Sequence, residues 1–250
     1  MPRKNKKLPR HLLVIRTSAM GDVAMLPHAL RALKEAYPEV KVTVATKSLF
    51  HPFFEGLDVG FLDIETRRTH RGIRGAIRFA REAAELKIDA VADMHNVLRS
   101  KMVRAALHLR GIPVSVIHKG RIEKYMRLGR GSEGVKPLKH TVIRYCDVFR
   151  RLGFDFPDPR PAEKRPRPNP MGEKRGGEEA EFARRMEALY PNVTALYGKI
   201  KLGDEMNLIS NLDCVVSMDS LVMHLASLMA TPTVSVWGAT HPGLGFLGYG

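Results

Sequence analysis

The strongest constraint on the fold is an alternation of short apolar runs with amphipathic stretches. Leu12-Leu13-Val14-Ile15 is a buried-strand signal that ends at Arg16. A small-residue loop, Thr17 to Asp22, follows it. Val23 to Tyr37 then has helical spacing (Val23, Leu26, Leu30, Leu33), with Pro27 in its first turn and Pro38 as its stop. Further strands are expected at Val42–Ala45, Phe61–Ile64, Ile88–Asp93 and Pro113–Ile117. Helices are expected at Ile73–Leu86 (Ile73, Ile77, Ala80 and Ala84 on the apolar face), Ser100–Leu109 and Val142–Leu152. Strands that alternate with helices build a parallel, helix-covered sheet, so the first half reads as a Rossmann-like domain.

Residues 157–170 contain six prolines and no periodic pattern, which reads as a linker. Beyond it the same grammar resumes. Helices are expected at Glu178–Leu189, Glu205–Leu212 and Ser220–Met229, and strands at Val193–Leu196, Cys214–Met218 and Thr233–Trp237. The expected organisation is an N-terminal domain over 1–156, a linker over 157–177 and a second Rossmann-like domain over 178–250. With three strands the second domain reads as incomplete.

Composition excludes several classes. Hydrophobic residues make up 44% of the 250, enough for a packed core. The two cysteines, Cys146 and Cys214, cannot form a disulfide scaffold and suit a cytoplasmic setting. The basic start, MPRKNKKLPR, is followed by an apolar run too short for a signal peptide. Apolar runs elsewhere are interrupted by Asp219, His224 or Pro232, so no membrane-spanning helix is expected.

The net charge of +15 is unevenly placed. Residues 1–155 hold 31 Lys/Arg against 15 Asp/Glu, whereas residues 156–250 hold 10 against 11. An anionic partner is therefore expected for the first half: nucleic acid, a membrane surface or a phosphorylated substrate. The plain alternative is a solvated basic surface.

Three loops at strand ends could carry chemistry, since ligands of open α/β sheets bind there. In Ser18-Ala19-Met20-Gly21-Asp22, Gly21 permits close backbone approach, and Asp22 reads either as a helix cap or as a general base. The loop is neither a dinucleotide fingerprint nor a P-loop, which weakens a dehydrogenase or an NTPase. In the second loop Asp219-Ser220 opens a helix and offers backbone N–H groups to an anion, with His224 about one turn on. The third, Trp237-Gly238-Ala239-Thr240-His241-Pro242, leaves the last expected strand.

Together these loops resemble glycosyltransferase family 9, the bacterial heptosyltransferases of lipopolysaccharide core synthesis. The resemblance rests on Ser18-Ala19-Met20-Gly21-Asp22 with Leu26-Pro27, on Ser217-Met218-Asp219-Ser220-Leu221-Val222-Met223-His224, and on Pro232-Thr233 with Gly238-Ala239-Thr240-His241-Pro242. Leu221 stands where the family usually carries glycine. The resemblance implies a GT-B-like fold of two Rossmann-like parallel-sheet domains facing across a cleft. It implies an inverting transfer of heptose or a related sugar from an ADP-sugar to an anionic lipopolysaccharide core or lipid A acceptor. No other cofactor and no metal is implied.

By that resemblance Asp22 is the catalytic base. Asp219, Ser220, His224, Glu178, Ile200 and Thr240 would hold the donor. Ser18, Met20, Gly21, Arg67, Arg68, Arg71, Arg99, Arg121 and Lys124 would receive the acceptor. The partners implied are a nucleotide sugar and an anionic lipid, with no nucleic acid. The protein would be cytoplasmic, its basic first ten residues touching the inner membrane surface at about 1 kcal/mol per charge. By the resemblance, phosphate-loop strands would be expected between Pro170 and Glu178, where no strand pattern is visible, and a further segment would be expected after Gly250. The competing expectation is a non-catalytic basic module that binds an anionic membrane or nucleic acid.

Overall fold

The computed structural model describes residues 8–120, 123, 137–164, 178–196, 201–238 and 240–250. Its centre is a parallel five-stranded sheet. The strands are β1 (His11–Ile15), β2 (Lys41–Thr46), β3 (Gly60–Asp63), β4 (Ala90–Asp93) and β5 (Val114–Val116), in the order β3-β2-β1-β4-β5. β1 pairs with β2 through Leu13↔Thr43 and with β4 through Leu13↔Val91. The chain winds outward from β1 in both directions, so the gap between the carboxyl ends of β1 and β4 is the switch point of the sheet. Ligands of doubly wound sheets bind at that gap.

All five residues of β1 are buried, as a central strand covered on both faces requires. Leu12 and Val14 face α2 (Leu26–Ala36) and α5 (Thr141–Arg151), in a core that includes Leu30, Tyr145 and Phe149. Leu13 and Ile15 face α3 (Gly72–Glu85) and α4 (Leu98–His108), against Phe79, Val103 and Leu107. Burial of each such side chain stabilises the fold by about 1.5–3 kcal/mol.

The helix expected over Val23–Tyr37 is two helices, α1 (Met20–Ala24) and α2, joined at Met25. Pro27 occupies the first turn of α2. It has no N–H to give to the carbonyl of Val23, and its ring would strike that carbonyl, so one continuous helix is excluded. The apolar face expected for α3 is also corrected. Ile73 and Ile77 are 67% and 48% exposed, and the buried face is Gly75, Ala76, Phe79, Ala80 and Ala83. Phe79 turns that face inward, and Gly75 lets the helix lie on the backbone of His70, where a β-carbon would come within 2.1 Å of the His70 carbonyl carbon.

The second half comprises α6 (Glu178–Leu189), α7 (Leu202–Asn211), β6 (Val215–Met218), α8 (Leu221–Leu228) and β7 (Thr233–Val236). β6 and β7 form a parallel pair with Val216↔Val234. The strand expected at Val193–Leu196 is not formed. Its backbone is satisfied locally instead: Val193 N–H donates to Tyr190 O, and Ala195 N–H to the Glu187 carboxylate. Met206, Ile209, Leu225, Ala226 and Leu228 share the core that contains Leu12 and Leu30, so α7 and α8 pack on the α1–α2–α5 side of the large sheet. This brings the end of β6 to the end of β1. Among the described residues no helix is long and apolar enough to cross a membrane.

Candidate functional site

Strand β1 runs out into Arg16, Thr17 and Ser18, and β4 into Met94, His95 and Asn96, on the two sides of the switch point. Asp93 is fully buried and organises the β4 turn. Its Oδ1 accepts from the N–H groups of His95 (2.9 Å) and Asn96 (2.8 Å), and its Oδ2 accepts from Arg104 (3.0 Å). His95 is thereby placed across from the β1 loop. Its Nδ1 lies 3.1 Å from Thr17 Oγ1 and its Nε2 lies 3.1 Å from Ser18 Oγ.

Asp22 sits in the first turn of α1 but does not cap it; the N-cap is Ala19, with no side-chain cap bond. Of the two readings open at the sequence level, the cap is therefore wrong. The carboxylate is ion-paired with Arg16, whose guanidinium also donates to Met94 O. Arg16 is buried, whereas the Asp22 side chain is 24% exposed and so is open to solvent. Behind Asp22, the Tyr145 hydroxyl donates to its backbone oxygen at 2.9 Å. Burial pushes the Tyr145 phenol well above its ordinary pKa, so it acts as a fixed donor.

Helix α8 closes the other side. A β-carbon on Gly21 would lie 2.7 Å from His224 Cδ2, so the glycine is what lets the His224 ring rest on α1. His224 is 7% exposed and its Nδ1 is buried without a partner. Burial lowers its pKa; the charges of Asp22 and Asp219 pull the other way, and His140 adds to the lowering. Asp219 Oδ2 accepts from Thr240 Oγ1 at 2.7 Å, and the hydroxyls of Ser217 and Ser220 meet at 3.0 Å. Ser220 is the N-cap of α8 and makes no side-chain cap bond, which leaves the first N–H groups of that helix open to an anion.

The structure thus brings Ser18, Met20, Gly21, Asp22, Asp219, Ser220, His224 and Thr240 to one edge. Arg67 and Arg68 are exposed in the turn after β3, and Arg71 is the N-cap of α3. Arg99 donates to Thr66 O at 3.4 Å and ties the β4 loop to the β3 loop. Arg121, Lys124 and Ile200 lie outside the described residues, as does the first segment 1–7; Glu178 opens α6, its side chain also outside them. Among the described residues no group of three or more His, Cys, Asp or Glu side chains is placed to hold a metal.

Arg16, Thr17, His95 and Tyr145 were not singled out by sequence. A signal existed for His95: Asp93-Met94-His95-Asn96 is a polar run directly after a buried strand. Its partners were invisible because they lie 77 and 78 residues away.

Residues 170–245 match the sequence profile of glycosyltransferase family 9 (heptosyltransferase), which bears out the resemblance over that segment. No curated protein matches the chain. Among solved structures, a family 9 glycosyl transferase from Veillonella parvula is similar at 16% identity and a TM-score of 0.66, over 96% of this chain and 84% of that one. The E. coli heptosyltransferase WaaC with ADP is similar at 21% identity and a TM-score of 0.64, over 95% and 91%. The E. coli ADP-heptose lps heptosyltransferase II is similar at 19% identity and a TM-score of 0.59, over 94% and 86%. At these identities the likeness establishes the GT-B-like α/β fold.

Proposed function

We propose that the chain is an inverting glycosyltransferase that moves heptose, or a related sugar, from an ADP-sugar to an anionic lipopolysaccharide-core acceptor. The observation that carries this reading is the close approach of Gly21, the chain neighbour of Asp22, to His224. It sets a carboxylate beside the motif that, in the profile-matched segment, resembles a donor site.

Residues 1–156 form the acceptor part and 178–250 the donor part. The uncapped start of α8 and the unpartnered His224 Nδ1 face the leaving diphosphate, with Asp219 and Thr240 beside it. Glu178 and Ile200 are further donor contacts. The Asp22 carboxylate takes the proton of the acceptor hydroxyl as its oxygen attacks the anomeric carbon. The bond from that carbon to the ADP oxygen breaks with inversion, and ADP leaves with the electron pair. Arg16 aims Asp22 and Tyr145 fixes its backbone. General-base help of this kind contributes roughly 10²–10⁴-fold.

The basic residues that follow β3, β4 and β5 in sequence, Arg67, Arg68, Arg71, Arg99, Arg121 and Lys124, would pair with the acceptor's phosphates and carboxylates. Such an acceptor lies on the cytoplasmic face of the inner membrane, which the basic first ten residues would touch. The test is incubation with ADP-heptose and a Kdo–lipid A acceptor. Transfer that is lost in Asp22→Asn supports the reading, and undiminished transfer in that variant overturns the base assignment.

A further inference from the structure

At the switch point, one imidazole joins two hydroxyls. Thr17 is 3% exposed, and its hydroxyl meets His95 Nδ1 at 3.1 Å. Ser18 is half-buried, and its hydroxyl meets His95 Nε2 at 3.1 Å. His95 is 8% exposed, and the charges of Arg16, Lys119, Arg99 and Lys47 all bear on it. These four follow the ends of β1, β5, β4 and β2, at the carboxyl edge of the sheet. Burial first, and those cations second, hold the His95 pKa down to about 3, so the ring is neutral at pH 7.

A neutral imidazole has one N–H and one lone pair, and burial decides which nitrogen carries the proton. Were Nδ1 protonated, the buried Thr17 O–H would have no acceptor, at a cost of about 1–3 kcal/mol. The Thr17 hydroxyl therefore donates to Nδ1. Nε2 then carries the proton and donates to Ser18 Oγ. The proton of Ser18 is then left for another acceptor.

We propose that His95 is a positioning residue that orients the Ser18 hydroxyl as a donor to an anionic oxygen of the acceptor, at a sheet edge whose strand ends carry Arg16, Lys47, Arg99 and Lys119. The proposal rests on the transferase reading for the identity of the anion's bearer, but the anion subsite itself does not. The shared chemistry is a phosphate or carboxylate oxygen, which accepts from an O–H and pairs with guanidinium and ammonium groups. A metal or a neutral sugar hydroxyl would gain nothing from four cations.

The test uses the full chain with ¹⁵N-labelled histidine, the His95 signals being identified by their loss in His95→Gln. If that variant fails to fold, their displacement in Ser18→Ala identifies them. A pyrrole-type Nε2 with a pyridine-type Nδ1 at pH 7 is expected. A protonated Nδ1, or an imidazolium, overturns the proposal. Inorganic phosphate and acetate are then titrated separately. A saturable shift of Nε2 with phosphate alone assigns a phosphoryl-bearing acceptor group, and one with acetate alone assigns a carboxylate. Weakening of either by about tenfold in Ser18→Ala is the expected result, and no shift with either anion overturns the proposal. Neither titration uses a sugar donor, so a failed heptose transfer beside an intact anion shift would remove the transferase reading and leave the subsite standing. With transfer established, His95→Ala raises the acceptor KM by about tenfold with little change in kcat. The opposite split overturns a positioning role.

Discussion

Gly21 and His224 are separated by most of the chain, yet a β-carbon on the first would stand 2.7 Å from Cδ2 of the second. The contact sets the distance between α1 and α8, and with it the distance from Asp22 to the α8 N-terminus. Gly21→Ala should push the His224 ring aside at a cost of about 1–3 kcal/mol, as overpacking does elsewhere. It should also weaken ADP binding. Urea unfolding together with ADP titration checks both, and a variant normal in both would remove this contact from the site.

Asp22→Asn keeps the shape of the side chain and removes its basicity. Transfer should fall by roughly 10²–10⁴-fold. ADP affinity should stay close to that of the parent, because Asp22 lies on the acceptor side. A comparable loss of ADP affinity would make Asp22 a donor ligand instead.

Tyr145→Phe removes one hydrogen bond, from a fully buried phenol to the backbone of Asp22. The expected loss is about 1–2 kcal/mol of stability. Transfer should also slow while ADP affinity is retained, since the bond holds the turn that carries the base. Denaturant midpoints and steady-state rates together separate these effects; unaltered rates in a destabilised variant would limit Tyr145 to packing.

Acid should destabilise the fold through its buried histidines. Burial lowers the pKa of His28 to about 3, Arg31, His140 and His224 adding to it, and that of His95 to about 3; His140 and His224 are lowered as well. A histidine whose folded pKa lies below its unfolded value binds fewer protons when folded. Its contribution is complete above about pH 6.5, the unfolded value, and is lost as pH falls toward the folded one. Within that window the loss for His28 approaches about 1.4 kcal/mol per pH unit, and His95, His140 and His224 add to it in the same direction. Urea midpoints at pH 7, 6, 5 and 4 should decline progressively; a flat series would contradict the buried, neutral state of these rings.

Local patterns were readable because they are set by near neighbours. The apolar run of β1 and the spacing of α5 follow from periods of two and 3.6 residues. Pro27 was read as tolerable in a helical first turn, which it is, but the helix it opens is α2 and not a longer one beginning at Val23. The buried face of α3 is not legible in sequence because Ile73 and Ile77 are more apolar than Gly75 and Ala76, and apolarity alone does not reveal that the neighbouring His70 backbone leaves room only for glycine. The Asp22, Asp219 and His224 motifs were legible as short strings beside strand ends.

By itself the sequence determined most of the strands and helices, though neither the break at Met25 nor the absence of a strand at Val193–Leu196, together with the basic character of the first half and the presence of three motif-bearing loops. It left the function of Asp22 open between cap and base. Tertiary structure decided that Asp22 pairs with Arg16, that His95 faces Thr17 and Ser18, and that His224 rests on Gly21. The physical reason is strand order. Placing β4 beside β1, and packing α7 and α8 on the α1–α2–α5 face, are outcomes of long-range burial. Only that burial brings polar groups from three distant segments to one gap in the sheet.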